Sequence, residues 1–224
     1  TESKCDETVL DGELCIDEYT VIRKDRNRHG GGIALYVRND VNVKRLDMYE
    51  CDIEAIWVCL TTKQAKPLIV GVIYRPPNSS VSYLDHLNNT LHKVVTDHNN
   101  DLILLGDFNC DACPLNDDSL FRSLDSVMTG FLLYQLIDIP TRVTMTTKSV
   151  IDHIYSNIPD KHNKTGVIKT KLSDHYMTFT VYGDTNPVKK ENIIQWRDFK
   201  NFNFDEFCRT LQMKNFDAIF ELND

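Results

Sequence analysis

The sequence predicts an α/β domain, with strands and helices alternating along the chain. Three observations lead there. Short apolar runs rich in β-branched and aromatic residues recur through most of the chain, several bounded by turn formers. Two longer segments between them carry apolar residues at helical spacing. No internal repeat and no low-complexity tract interrupts this order, so the elements belong to one layered domain.

The strands come in order as Ile33–Val37, Ile53–Leu60, Leu68–Tyr74, Leu102–Leu105, Ile151–Tyr155 and Met177–Tyr182. Leu68–Tyr74 and Leu102–Leu105 are near-continuous apolar runs, the pattern of strands covered on both faces. Between them, Val81–His98 sets Leu84, Leu87, Leu91, Val94 and Val95 on one helical face. Ser82 and Asp85 have capping-box spacing at its start. Ser119–Leu136 repeats the pattern with Leu120, Phe121, Leu124, Val127, Met128 and Phe131, although Gly130 weakens its middle. After Tyr182 the composition changes. The stretch 183–192 reads as a linker. Beyond it, Asn203 reads as the cap of a helix with Phe204, Phe207 and Leu211 on one side. Residues 1–182 are thus expected to form the domain. Residues 183–224 are a linker and the helical start of a following region, which cannot form a core alone.

The chain of 224 residues, 42% apolar, is long enough to bury a core. Its net charge of −8 excludes holding nucleic acid by bulk charge. A nucleic-acid function would have to rest on a local site assisted by cations. The seven cysteines are an odd number in a long chain and do not read as a disulfide framework, which suits a reducing compartment. Cys110 and Cys113 are the only close pair, have no second pair at zinc-finger spacing, and read as two small loop residues. No apolar run approaches the roughly 20 residues that span a bilayer, and no signal pattern opens the chain. The expectation is an intracellular protein, nuclear or cytoplasmic, with no membrane partner. The opening Thr1-Glu2-Ser3, without Met, reads as the start of a fragment.

Five motifs carry candidate chemistry. In Leu102-Ile-Leu-Leu-Gly-Asp-Phe-Asn an apolar strand presents Asp107 and Asn109 at its end, and strand alternation would put both on one side. A carboxylate can handle a proton or a metal, and a carboxamide can donate to a phosphate oxygen. An ordinary strand-to-loop turn uses the same residues. In Lys171-Leu-Ser-Asp-His, His175 is suited to proton exchange and Asp174 to a hard cation. Asp152 sits inside an apolar strand and needs a partner there; a histidine would fill that need and be oriented as a base. Its neighbour His153 points to the opposite face. Tyr74 and Arg75 end a strand before two prolines and could contact a phosphate, or be a plain strand terminus. Gly30-Gly-Gly is a tight turn without the lysine of a phosphate-binding loop. The basic run 23–29 before it is either a DNA-backbone contact or a solvated loop.

Each motif alone has an everyday explanation, but their order is specific. Tyr-Arg-Pro-Pro, Gly-Asp-Phe-Asn, Ile-Asp-His and Ser-Asp-His, each opening or closing an apolar strand, resemble the endonuclease/exonuclease/phosphatase superfamily across most of residues 1–182. The segment from Tyr19 through Gly30-Gly-Gly-Ile-Ala-Leu-Tyr-Val, together with Pro140-Thr-Arg, is similar to the endonuclease domain of non-LTR (LINE/jockey-type) retrotransposon polyproteins. The tail from Arg197 resembles the linker toward their reverse transcriptase.

This resemblance implies a four-layer α/β/β/α sandwich of the DNase I-like kind, with the site at one edge. It implies Asp107 as a proton-handling carboxylate, Asn109 as a phosphate contact, His175 at the reacting phosphate and Asp152 orienting it. Ser173, Thr141 and Tyr74 would lie near the phosphate. Glu2, in its Thr-Glu-Ser context, matches the metal-binding glutamate, and Asp174 a second acidic residue near the metal. A fragment beginning at Glu2 would lack the family's first strand. The implied activity is Mg²⁺-dependent (Mn²⁺ possible) nicking of DNA, with Asp107 or His175 as the base. Another superfamily phosphodiesterase or phosphatase, or an inactive remnant, is the alternative.

Overall fold

The computed structural model describes residues 1–50, 53–61, 66–80, 82–170, 173–183 and 202–214. The chain divides into two compact units, Thr1–Thr185 and Asn186–Asp224. The linker reading over 183–192, apart from Gly183, and the segment 197–201 lie outside the described residues.

The first unit opens with β1 (Tyr19–Lys24) and β2 (Ile33–Arg38), an antiparallel hairpin turning at Gly31 and Gly32, both with positive φ. Next come β3 (Asn42–Arg45), β4 (Ala55–Thr61), β5 (Leu68–Tyr74), α1 (Ser82–Asp97), β6 (Asp101–Asp107) and α2 (Ser119–Gly130). The short β7 (Tyr134–Gln135), β8 (Arg142–Val143) and β9 (Lys148–Ser149) follow. The unit closes with β10 (Asp152–Ser156), β11 (His162–Ile168) and β12 (Met177–Tyr182).

A mixed sheet in the order β3-β4-β5-β6-β10-β7 forms the centre. Its middle pair, β5 and β6, runs parallel, joined by α1 as a crossover of that kind requires. The apolar runs at β4, β5 and β6 are covered on both faces. On one side lie the helices: Leu87, Leu91 and Val94 of α1 and Leu124 and Met128 of α2 pack on Trp57, Ile69, Ile73 and Leu104. On the other side Ile33, Ile22 and Leu35 of the first hairpin cover Ile56, Val58, Val70 and Val72. Val167 and Tyr182 of the β11–β12 hairpin cover Ile103 and Ile154. The layers therefore run helices, central sheet, second strand layer. That second layer is two separate hairpins, β1–β2 and β11–β12, each a two-stranded sheet. A groove of about 260 Å³ lies between Ala34–Tyr36 and Tyr176–Thr178, floored by Val72 and Leu105.

Two helix expectations change. α2 ends at Gly130 rather than continuing to Leu136, because Leu132 takes a positive φ of 58° and the chain turns into β7. Asp118 caps its start, accepting from the amides of Leu120 and Phe121. Ser82 is the first residue of α1 rather than its cap, and the position before it lies outside the described residues.

In the second unit, α3 (Phe204–Gln212) is capped by Asn203, whose side chain accepts from the Glu206 amide. Phe204, Phe207 and Leu211 are all exposed along it.

Candidate active site

Three adjacent strands end at the same edge of the central sheet. Tyr74, the last residue of β5, is in register with Asp107, the last of β6. Asp107 stands opposite Asp152, the first residue of β10. Two carboxylates facing each other across a strand pair repel. Asp107 is buried, and burial together with the charge of Asp152 pushes its carboxyl up to about 6.

Asn109 reaches the same pocket by a left-handed turn, not by strand alternation. Its φ is 48°, and its amide donates to the Asp107 carboxylate at 3.0 Å. The turn is prepared by Gly106 (φ 143°), where a Cβ would stand 1.8 Å from the Ile73 carbonyl oxygen. The Asn109 Nδ2 donates to the Arg75 carbonyl at 2.9 Å, which fixes the orientation of the carboxamide.

His175 is held on two sides. Its Nδ1 lies 3.1 and 3.0 Å from the two carboxylate oxygens of Asp152. The Ser173 hydroxyl accepts from the His175 amide and donates to its carbonyl. The Asp152 hydrogen bond raises the imidazole above its ordinary pKa. With Nδ1 taken, Nε2 is the nitrogen left for chemistry.

These groups surround a pocket of about 550 Å³. Glu2, Asp107, Asn109, Asp152, Ser173, Asp174 and His175 all line it. The residues 1–4 are pinned beside it by amides of Ser3 and Lys4 that donate to the carbonyls of Gly32 and Gly31. Three other expected contacts do not line it. Tyr74 is buried, and its hydroxyl donates to Glu2 Oε1 at 2.6 Å; burial and that bond push the phenol up to about 12. Thr141 is fully buried, its Oγ1 accepting from the amides of Ile151 and Asp152 at 3.1 and 3.0 Å. Arg75 is only 2% exposed and lies under the sheet edge against the Tyr83 ring. Thr141 and Arg75 thus lie behind the pocket and not on its lining: a polar side chain at a strand end can face the core as easily as the pocket.

Asp174 lines the pocket but is engaged elsewhere. Its carboxylate pairs with Arg142 Nε at 2.7 Å, and that bond holds it below the ordinary carboxylate range. Arg142 and Lys4 both line the pocket and escaped the sequence reading. Their positions beside Thr141 and Glu2 were the available signal. The basic run fares differently. Arg23 pairs with Asp11, Arg26 with Glu54 and Arg28 with Asp6, so the run is largely neutralised within the fold. His153 is fully buried and stacks on Phe108; burial drives its pKa down to about 4. Cys110 is buried and Cys113 partly so, both as free thiols.

Asp107, Asp152 and His175 offer ligand atoms within 4.8 Å of one another. Part of that closeness is the Asp152–His175 hydrogen bond itself. The wider donor set is oxygen-rich, with Glu2 and the Asn109 carboxamide on the same pocket. The charge of Glu2 also raises Asp107. Glu2, Asp107 and Asp152, the three carboxylates of this partly buried pocket not held by Arg142, fit a hard divalent cation, which would relieve their repulsion.

A profile of the endonuclease-reverse transcriptase family matches residues 68–179, from the start of β5 into β12. The chain belongs to the endonuclease-reverse transcriptase family. Solved structures share the fold of this family member. The endonuclease domain of TRAS1, a telomere-specific non-LTR retrotransposon, is 19% identical over 72% of this chain and 78% of that one, with a TM-score of 0.61. An endonuclease/exonuclease/phosphatase family protein from Leptotrichia buccalis is 14% identical over 76% and 74%, with a TM-score of 0.52. A mannosyl-6-phosphatase from Bacteroides thetaiotaomicron is 16% identical over 77% and 80%, with a TM-score of 0.51. No curated protein matches the chain. Among the described residues, no helix is long and apolar enough to cross a membrane.

Proposed function

We propose that this family member is a divalent-metal-dependent endonuclease that nicks DNA for retrotransposon insertion, leaving a 3′ hydroxyl. The observation that carries this is the convergence of Asp107, Asn109 and the Asp152–His175 pair on one acidic pocket. Glu2, steadied by the Tyr74 hydroxyl, would hold the ion. Asp174 joins only where Arg142 releases it. Mg²⁺ is the expected ion, with Mn²⁺ as a substitute. When bound it supplies polarisation of the phosphate and stabilisation of the leaving oxygen.

The protein groups divide the remaining work. Asp107, buried on the pocket's wall, would take the proton of the attacking water. His175, whose protonated form Asp152 favours, donates from Nε2 to a phosphoryl oxygen as charge builds. The free N–H of the Asn109 carboxamide adds a second donor. The protein would act on DNA in a nuclear or cytoplasmic setting, joined to a reverse transcriptase in the full-length polypeptide.

Conversion of supercoiled plasmid to nicked circles in Mg²⁺ or Mn²⁺ tests the reading. Asp107→Ala is expected to slow nicking by about 100-fold or more. Equal rates for variant and parent would overturn the assignment. A preference for a sugar phosphate over intact or abasic DNA would move the protein to a phosphatase role, as would suit the fold it shares with the mannosyl-6-phosphatase. Failure to bind either cation would mark an inactive remnant.

A further inference from the structure

We infer that the Arg75 side chain is a positioning residue that holds the Asp107–Asn109 loop in its reactive shape, and that it does not touch substrate. This rests on the nuclease reading above for its kinetic consequence, but its structural basis is independent.

Arg75 engages three consecutive loop residues. Its amide donates to the Asp107 carbonyl at 2.8 Å. Its guanidinium Nη1 reaches the Phe108 carbonyl at 3.5 Å. Its carbonyl accepts from the Asn109 side chain at 2.9 Å. The two main-chain contacts would survive any substitution but proline; the guanidinium contact would not. The side chain is 2% exposed and stacks over the Tyr83 ring, 5.5 Å from its centroid. Among the described residues its one side-chain hydrogen bond is to the Phe108 carbonyl, no ion pair to a carboxylate is formed, and its Nε is buried without a partner. A buried cation left without a counter-charge is costly. Arg75 is therefore an unfavourable choice for stability alone and an understandable one for shape.

The loop has need of such a brace. Asn109 holds a positive φ of 48° in a non-glycine residue, and Gly106 before it is in a conformation that only glycine accepts. At the end of β6 a strained turn must present both Asp107 and Asn109 to one pocket. A guanidinium wedged between the loop and the Tyr83 ring of α1 ties that turn to the helix layer behind it.

The test compares the full chain with Arg75→Met, which keeps bulk and removes charge and donors, and Arg75→Lys, which restores a cation and a donor. Amide hydrogen exchange needs no activity. In Arg75→Met the amides of residues 108–110 are expected to exchange at least about tenfold faster, while those of β4 and the centre of α1 keep their rates. A uniform acceleration across the core would mean simple destabilisation and overturn the inference. In nicking kinetics, Arg75→Met should lower kcat on the order of tenfold to 100-fold with KM within about twofold, and Arg75→Lys should recover most of it. A raised KM at unchanged kcat would show direct substrate contact instead. Were Arg75→Met not to fold, Tyr83→Leu removes the stacking surface and is expected to loosen the same amides; unchanged exchange there also overturns the inference. A wild-type chain that does not nick defeats the nuclease reading, and the exchange result still decides the brace.

Discussion

At the residue scale, Asp107 is a buried carboxylate facing a second carboxylate, and its cost to stability can be measured. Its carboxyl ionises at about 6 in the folded protein against the ordinary 3.8, raised by burial and by Asp152 across the strand pair. The folded state thus holds this proton more tightly than the unfolded chain does. The stability it contributes is fully present below the unfolded value and is lost as pH rises through about 6. Asp107→Asn removes the ionisation while keeping an oxygen to accept the Asn109 amide. With a chelator present, the variant is expected to melt higher than the parent at about pH 8, by something on the order of 3 °C, and to lose that advantage near pH 4. A thermal melt at the two pH values checks it. An unchanged difference between them would mean that the buried carboxyl is not the source. The same substitution should abolish nicking, separating the stability effect from the catalytic one.

At the scale of elements, Thr141 shows how β8 and β10 are joined to the site. Its hydroxyl accepts two amides at the start of β10, those of Ile151 and Asp152, and its own carbonyl accepts the Tyr176 amide beside His175. One residue therefore ties the strand that carries Asp152 to the segment that carries His175. Thr141→Val keeps the shape and takes this acceptor from the buried Ile151 amide and the part-buried Asp152 amide, at a cost of about 1–3 kcal/mol for the buried one. The variant should melt several degrees lower and nick more slowly, while Thr141→Ser should behave like the parent. Matching melting curves for Val and Ser at this position would deny the hydroxyl its part. Sequence could not have placed Thr141 here. It shows that a polar residue stands near a strand end and leaves open whether the side chain faces the pocket or the core; Arg75 is the same case. What sequence does show is the covered strand. Leu68–Tyr74 is legible to the residue because both its faces are buried. β11 is not, because His162–Ile168 is an edge hairpin strand with mostly polar, part-exposed residues. β1 and β3 are missed for the same reason. Asp107, Asn109, Asp152 and His175 were singled out as a set by the order of their motifs and the resemblance it carries, and the fold brings all four to one pocket.

At the scale of the whole molecule, the charge of −8 would have a measurable consequence for how DNA is held under the proposed nuclease function. The pocket presents two cations to a phosphate backbone, Lys4 and Arg142, and the second is already paired with Asp174. The basic run 23–29, the other candidate for backbone contact, is spent largely on Asp11, Glu54 and Asp6. A protein that neutralises Z phosphates loses affinity with salt at a slope near −0.9Z, so this site implies a slope of about −1 to −2, far shallower than that of a basic DNA-binding protein. On that proposal, affinity would come mostly through a divalent cation joining acidic protein to acidic substrate, and it should collapse with a chelator at any salt concentration. Fluorescence anisotropy of a labelled duplex, titrated at several monovalent salt concentrations in Ca²⁺ to suppress cleavage, reads the slope directly. Lys4→Ala should flatten it by about one unit. A slope steeper than about −5 would place the main DNA contact on a basic surface away from this pocket.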